Sequence, residues 1–149
     1  MSKDRLVLKA IRREPTERRP LWIMRQAGRY LPEYRELRKI YSFKALSGSA
    51  ELSTKVTLLP LKRYPLDAAI IFADIMSPLP ALGINFDFDP GPVIENPIRD
   101  QAGVDALIPL DLEKLAPEVI EALKQTRAAI PEETSLLGFC GAPWTLAAY

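Results

Sequence analysis

Asp67-Ala68-Ala69-Ile70-Ile71-Phe72-Ala73-Asp74 is the stretch on which the fold turns. Between its aspartates lie six apolar residues with no polar interruption, the length of a strand and short for a helix. Such a run reads as a strand buried on both faces, the pattern of parallel sheets covered by helices. Leu136-Leu137-Gly138-Phe139-Cys140 is a second run of this kind. Between the two, residues 117–130 have helical period: Pro117 suits the first turn, and Val119, Leu123 and Ile130 fall on one face. Strand, helix and strand in this order argue for a parallel α/β sheet.

Outward from that core, Pro78 and Pro80 break the chain after the first strand, and residues 84–98 read as short extended pieces around Asp89-Pro90-Gly91-Pro92, with a strand near Val93. Upstream, Leu52, Val56 and Leu59 predict a helix over residues 50–63 that Pro60 should bend or end early. Residues 3–13 place Leu6, Val7, Ala10 and Ile11 on a helical stripe that Pro15 ends. Pro32 opens a further short helix with Tyr34, Leu37 and Ile40 inward, and Pro20 to Tyr30 reads as a strand-like lead into a loop.

At 149 residues, with 48% hydrophobic and 26% charged residues, the composition is that of one ordinary globular domain. No apolar stretch approaches the ~20 residues of a membrane span, and Met1 to Leu6 lacks the apolar core of a signal peptide. The single cysteine, Cys140, excludes an intrachain disulfide and fits a reducing, cytoplasmic setting; it reads as a small core residue. With no histidine, a Ser-His-Asp or Cys-His arrangement is impossible within these residues, and no convincing zinc site remains. The seven glycines form neither a dinucleotide fingerprint nor a P-loop. The sequence thus carries no sign of a cofactor or metal.

The net charge of +1 hides an asymmetry. Residues 1–40 hold twelve Lys and Arg against five acids, whereas residues 41–149 hold eight against fourteen. A basic N-terminal region attracts polyanions. No DNA- or RNA-binding motif accompanies it, so nucleic acid is not the expected partner. The feature that stands out is Met24-Arg25-Gln26-Ala27-Gly28-Arg29-Tyr30-Leu31-Pro32-Glu33-Tyr34-Arg35. Arginine offers a planar fork of donors matched to a carboxylate and keeps its charge. Arg25 and Arg29, set on a Gly-containing loop, suit a clamp on two acid groups of one ligand; surface ion pairs to Glu33 or Glu36 are the other reading. Arg35 and Arg38 read as a solvated helix face.

That block, with Arg19-Pro20-Leu21-Trp22-Ile23 before it, closely resembles the N-terminal signature of the uroporphyrinogen decarboxylases. Phe72-Ala73-Asp74-Ile75 and Gly138-Phe139-Cys140-Gly141-Ala142-Pro143-Trp144-Thr145-Leu146 resemble two further blocks of that family, in the same order. The resemblance covers the whole chain but only about the first half of a family member. It implies a (β/α)8 TIM-barrel fold, which typically needs ~250 residues. Residues 1–149 would then be the N-terminal part of a single barrel domain: a helical arm plus about the first three strands. An incomplete record of a longer protein is the simplest account of the ending, and the family's later hydroxyl and histidine contacts would lie beyond Tyr149.

The resemblance also implies chemistry. Family members convert the four acetate side chains of uroporphyrinogen III to methyl groups, giving coproporphyrinogen III in tetrapyrrole and heme biosynthesis, without a cofactor and commonly as homodimers. Loss of CO2 from an acetate leaves a carbanion that needs an electron sink, and a protonated pyrrole ring of the substrate provides one. Asp74, directly after a strand, is matched by the family's pyrrole-binding aspartate, suited to oppose the positive ring; by itself it reads equally as an acid capping the next turn. Arg25 and Arg29 match the family's substrate-contacting arginines. Arg25 is a candidate for proton delivery, although its pKa makes it a poor general acid and orientation of carboxylates the better role. Gln26, Ala27 and Gly28 would offer backbone groups, with Gly28 equally suited simply to a turn. Tyr149 aligns with a tyrosine near the substrate, or is merely a packed or frayed terminus. Trp22, Phe139 and Trp144 read as core or pocket wall. Ala73 stands where the family commonly has serine, and Leu46 to Leu52 lacks its usual cysteine and proline. The rival functions are a corrinoid-linked methyltransferase of the same barrel superfamily and a non-catalytic porphyrinogen-binding fragment.

Overall fold

The computed structural model of the chain describes residues 5–88, 91–109, 111 and 114–149. Strand β1 (Ala68–Ile70) pairs in parallel with β4 (Ser135–Leu137), with Ala68 opposite Ser135 and Ile70 opposite Leu137. Helix α6 (Pro117–Ala129) lies between these strands in sequence, completing the expected β-α-β unit. The ladder runs one residue past each end of β1: Ser135 N–H donates to Asp67 O at 2.9 Å, and Ile71 N–H to Leu137 O at 2.9 Å. Ala68, Ala69 and Ile71 are buried.

Between β1 and α6 the chain makes an excursion that is not part of this sheet. Strands β2 (Phe86–Phe88) and β3 (Pro92–Ile94) form a separate antiparallel pair. The expected strand near Val93 is present; Asp89 and Pro90 lie outside the described residues. The expectation of about three barrel strands therefore becomes, among the described residues, four three-residue strands in two two-stranded sheets. Only one of these sheets is parallel, and the chain is a mixed α/β structure containing one parallel β-α-β unit. Short helices α5 (Gln101–Asp105) and α7 (Pro143–Ala147) complete the later half.

The N-terminal half is helical. Helix α1 (Leu6–Ile11) ends before Pro15 through Glu14 N–H to Lys9 O, with Arg13 in the left-handed region. No strand forms over residues 20–30, whose backbone is held by turns and by single hydrogen bonds. Helix α2 (Pro32–Ile40) buries Tyr34 and Leu37 but leaves Ile40 exposed. Each step of three residues falls about 60° short of a helical turn, so the third apolar position drifts off the packed face. Helix α3 (Phe43–Ser47) was not legible in the sequence and is capped by Ser42, whose hydroxyl accepts Ala45 N–H at 3.0 Å.

Helix α4 (Ala50–Arg63) continues past Pro60 to Arg63, so the proline does not end it early. A proline inside a helix costs about 3 kcal/mol. Here its ring is fully buried, and α4 packs closely on α6, where Thr54, Ala122 and Thr126 are small and buried. Thr54 donates its hydroxyl to Ala122 O across that contact at 3.3 Å. Leu31, Tyr34, Leu37, Leu46, Val56 and Leu59 form the core cluster, on which Ala27, Leu52 and Phe72 also pack. Among the described residues no helix is long and apolar enough to cross a membrane.

Candidate active site

The arginine loop is stapled at three places. At its start, Leu21 N–H donates to Asp67 Oδ2 at 2.7 Å, and Asp67 N–H donates back to Leu21 O at 2.8 Å. In its middle, the buried Gln26 side chain donates from Nε2 to Ala68 O at 2.9 Å and accepts Ile23 N–H on Oε1 at 3.2 Å. At its end, Arg35 Nη1 donates to the carbonyls of Arg29 and Tyr30 at 2.9 and 3.1 Å. Gln26 O also accepts the Tyr30 hydroxyl, and Leu31 N–H closes on Gly28 O at 3.0 Å. Arg35 lies on an exposed helix face, as expected, and from there also holds the loop.

These bonds hold Arg25 at a φ of 58°, in the left-handed region that side chains rarely adopt. The turn is closed by Gln26 N–H to Ile23 O at 3.0 Å. The positive φ falls on Arg25 rather than on Gly28, and a Cβ added at Gly28 would meet its nearest atom, Arg25 O, at 3.4 Å. That is ordinary contact, so this turn does not itself demand glycine at 28. Ala27 faces inward onto the core cluster, while Arg25 and Arg29 are exposed.

The acids that were the alternative partners of those arginines are engaged elsewhere. Glu33 pairs with Arg63, Nη2 to Oε1 at 2.8 Å, and Glu36 pairs with Lys39 at 2.7 Å. The Arg63 hydrogen bond holds the Glu33 carboxyl below its ordinary range. Among the described residues the side chain of neither Arg25 nor Arg29 takes part in an ion pair or a hydrogen bond.

Asp74 follows β1 beyond its last ladder bond. Phe72 N–H donates to Thr57 Oγ1 at 2.9 Å and Phe72 O accepts the Ser53 hydroxyl, so α4 fixes the strand two residues before Asp74. The Asp74 carbonyl accepts Ser77 N–H and the Ser77 hydroxyl, forming a turn. Its carboxylate Oδ2 is buried with no hydrogen-bond partner. Burial raises the carboxyl above its ordinary value, and the Met76 and Ile75 amides pull more weakly the other way. Asp74 lines a cavity of about 230 Å³ with Lys44, Ser47, Ser77, Asn85 and Glu118.

The loop and Asp74 are thus referred to one strand, through Gln26 at its foot and Phe72 near its end. Tyr149 is 43% exposed and makes no hydrogen bond among the described residues. Cys140 is exposed, against the expectation of a core position; Trp144 is 85% exposed and Trp22 and Phe139 are exposed as well, so of the two readings, core or pocket wall, core does not hold for them. Phe139 and Cys140 lie past the end of β4, which among the described residues pairs with β1. Among the described residues no group of three His, Cys, Asp or Glu side chains could hold a metal ion.

This arrangement of arginine loop, strand and aspartate sits within a sequence that matches the family profile described as uroporphyrinogen decarboxylase (URO-D) over residues 2–149. The chain belongs to the uroporphyrinogen decarboxylase family. It is 48% identical over 152 aligned positions to the uroporphyrinogen decarboxylase of Alkalilimnicola ehrlichii, covering all of this chain and 41% of that protein. It is 47% identical to that of Thermus thermophilus, covering 97% of this chain and 42% of the relative. The chain therefore spans about two fifths of the length of these decarboxylases. In three dimensions it is similar to a methyltransferase from Methanosarcina mazei, with a TM-score of 0.75 at 20% identity, over 95% of this chain and 43% of that one. That likeness establishes shared architecture for this part of the fold.

Proposed function

We propose that residues 1–149 are the N-terminal part of a uroporphyrinogen decarboxylase barrel and contribute its carboxylate clamp and its pyrrole-facing aspartate. The observation that carries this reading is the availability of Arg25 and Arg29. They are exposed on a stapled loop while Glu33 and Glu36 are already paired. Two guanidiniums held this way suit the acetate and propionate groups of a tetrapyrrole polyanion.

Asp74 supports the second half of the reading. A carboxylate whose burial disfavours its charge gains most when a positive group arrives. Protonation of a substrate pyrrole creates that charge and provides the electron sink for loss of CO2. Pyrrole N–H groups would also satisfy the orphaned Oδ2. The carboxylate thus favours the cationic intermediate over the neutral ground state, the differential that accelerates a reaction. Arg25 serves mainly to orient a carboxylate, with proton delivery a secondary role, and Tyr149 contributes a phenol near the substrate. The remaining contacts, the barrel closure and a homodimer belong to the full-length protein, and this segment alone is inactive. The decarboxylase reading is favoured over a methyltransferase by 48% identity to a decarboxylase against 20% to the methyltransferase structure.

The test is Arg29→Lys in the full-length protein. Lysine keeps the charge but loses the fork, so KM for uroporphyrinogen III should rise about tenfold or more. Unchanged kcat and KM would make Arg29 a surface residue and remove the clamp.

A further inference from the structure

We propose that Asp67 is a positioning residue whose grip on Leu21 sets where Arg25 and Arg29 meet a polyanionic ligand; this rests on the clamp reading given above. Asp67 stands at the foot of β1 and uses nearly all of its polar atoms. Its carbonyl joins β4 through Ser135 N–H at 2.9 Å, and its N–H donates to Leu21 O at 2.8 Å. Its Oδ2 accepts Leu21 N–H and Arg18 Nη1, and its Oδ1 accepts Arg18 Nη2, each at 2.7 Å. The carboxylate is only 11% exposed, against 55% for Arg18, so its partners are fixed rather than shared with water.

The next residue on the strand, Ala68, holds Gln26 through its carbonyl. Asp67 and the first residue of β1 therefore close the segment from Leu21 to Gln26, and Arg25 sits within that closure at its positive φ. A conformation of that kind persists only where surrounding contacts over-determine it. Losing the carboxylate's bond to Leu21 N–H leaves that end held by Leu21 O alone, which loosens the closure around the Ile23–Gln26 turn and lets Arg25 relax to an ordinary φ, carrying its guanidinium away from its ligand position. Asp67 touches no ligand in this scheme; it acts through the backbone of the loop. Neither Arg18 nor Asp67 lies in the arginine block.

The experiment compares Asp67→Asn, Asp67→Glu, Arg18→Gln and, as control, Arg29→Ala in the full-length protein. Asn keeps the volume but offers one acceptor oxygen in place of two. The expected result is a KM for uroporphyrinogen III raised about tenfold, with kcat within about threefold, and faster hydrogen exchange at the Leu21 and Gln26 amides. Glu at 67 should recover part of the KM, and Arg18→Gln should give a smaller rise because the Leu21 bonds remain. If Asp67→Asn fails to fold, Asp67→Glu, which displaces the carboxylate from Leu21 N–H by one methylene, stands in, with a smaller KM rise in the same direction expected. A KM and amide exchange unchanged in the Asn variant (or in the Glu variant, if that stands in), while Arg29→Ala loses binding, would overturn this proposal and leave the clamp standing. An unaffected Arg29→Ala would overturn both.

Discussion

Thr57 Oγ1 accepts the Phe72 N–H at 2.9 Å while donating its own proton to Ser53 O at 2.8 Å. Thr57 is fully buried, so this hydroxyl stands in for a neighbouring strand on the free edge of β1. Thr57→Val keeps the shape but leaves the Phe72 N–H unsatisfied, which should cost about 1–3 kcal/mol of stability. Chemical denaturation of the full-length protein checks this, and a variant within 0.5 kcal/mol of the parent (roughly, the range of a surface change) would show that the bond is unimportant.

Arg25 gives a test in which the usual order of alanine and glycine reverses. At an ordinary helical or extended position Ala is the more stable of the two. At a φ of 58° the order inverts, because only glycine adopts that region without a Cβ clash. Arg25→Gly should therefore be more stable than Arg25→Ala by about 0.5–1 kcal/mol, although both lose ligand affinity. Equal melting temperatures, or a more stable Ala variant, would mean that Arg25 is not held in the left-handed region.

Asp74→Asn should separate stability from turnover. The folded chain holds its proton at Asp74 above the ordinary value of 3.8, because burial disfavours the charge. Over the range from 3.8 upward to the raised value, the folded state binds more protons than the unfolded state, so stability falls as pH rises through it. Asparagine has no charge to lose or gain. At neutral pH the variant should melt no lower than the parent, while turnover falls by about 10²–10³-fold, the effect of one preorganised electrostatic contact. Near-normal turnover would remove Asp74 from the mechanism, and a lower melting temperature at neutral pH would contradict the sign of the burial effect.

The 149-residue chain expressed alone should show no decarboxylation and should bind hydrophobic dyes. Among the described residues its parallel sheet has two strands, and both Trp144, at 85% exposure, and Phe139 are exposed. Parallel sheets are stable when covered on both faces, and unpaired edges invite association. CO2 release, or a sharp cooperative melt of the monomer, would contradict this expectation.

The strand-helix-strand order was legible because each element announces its own period: six apolar residues in a row at 68–73, and Val119, Leu123 and Ile130 on a helical face. The arginine pair stood out because residues 1–40 hold twelve cations against five acids, and Asp74 because it closes an apolar run; their roles were read from the family resemblance. What the local pattern could not reveal was every choice made between distant segments. Arg63 rather than Arg29 takes Glu33 across 30 residues, and Asp67 holds Arg18 across 49. Pro60 stays inside α4, where its ring is fully buried. Periodicity records how a residue relates to neighbours within one or two turns. Which acid an arginine meets, and which backbone must accept a positive φ, are decided when the strand, loop and helices come together.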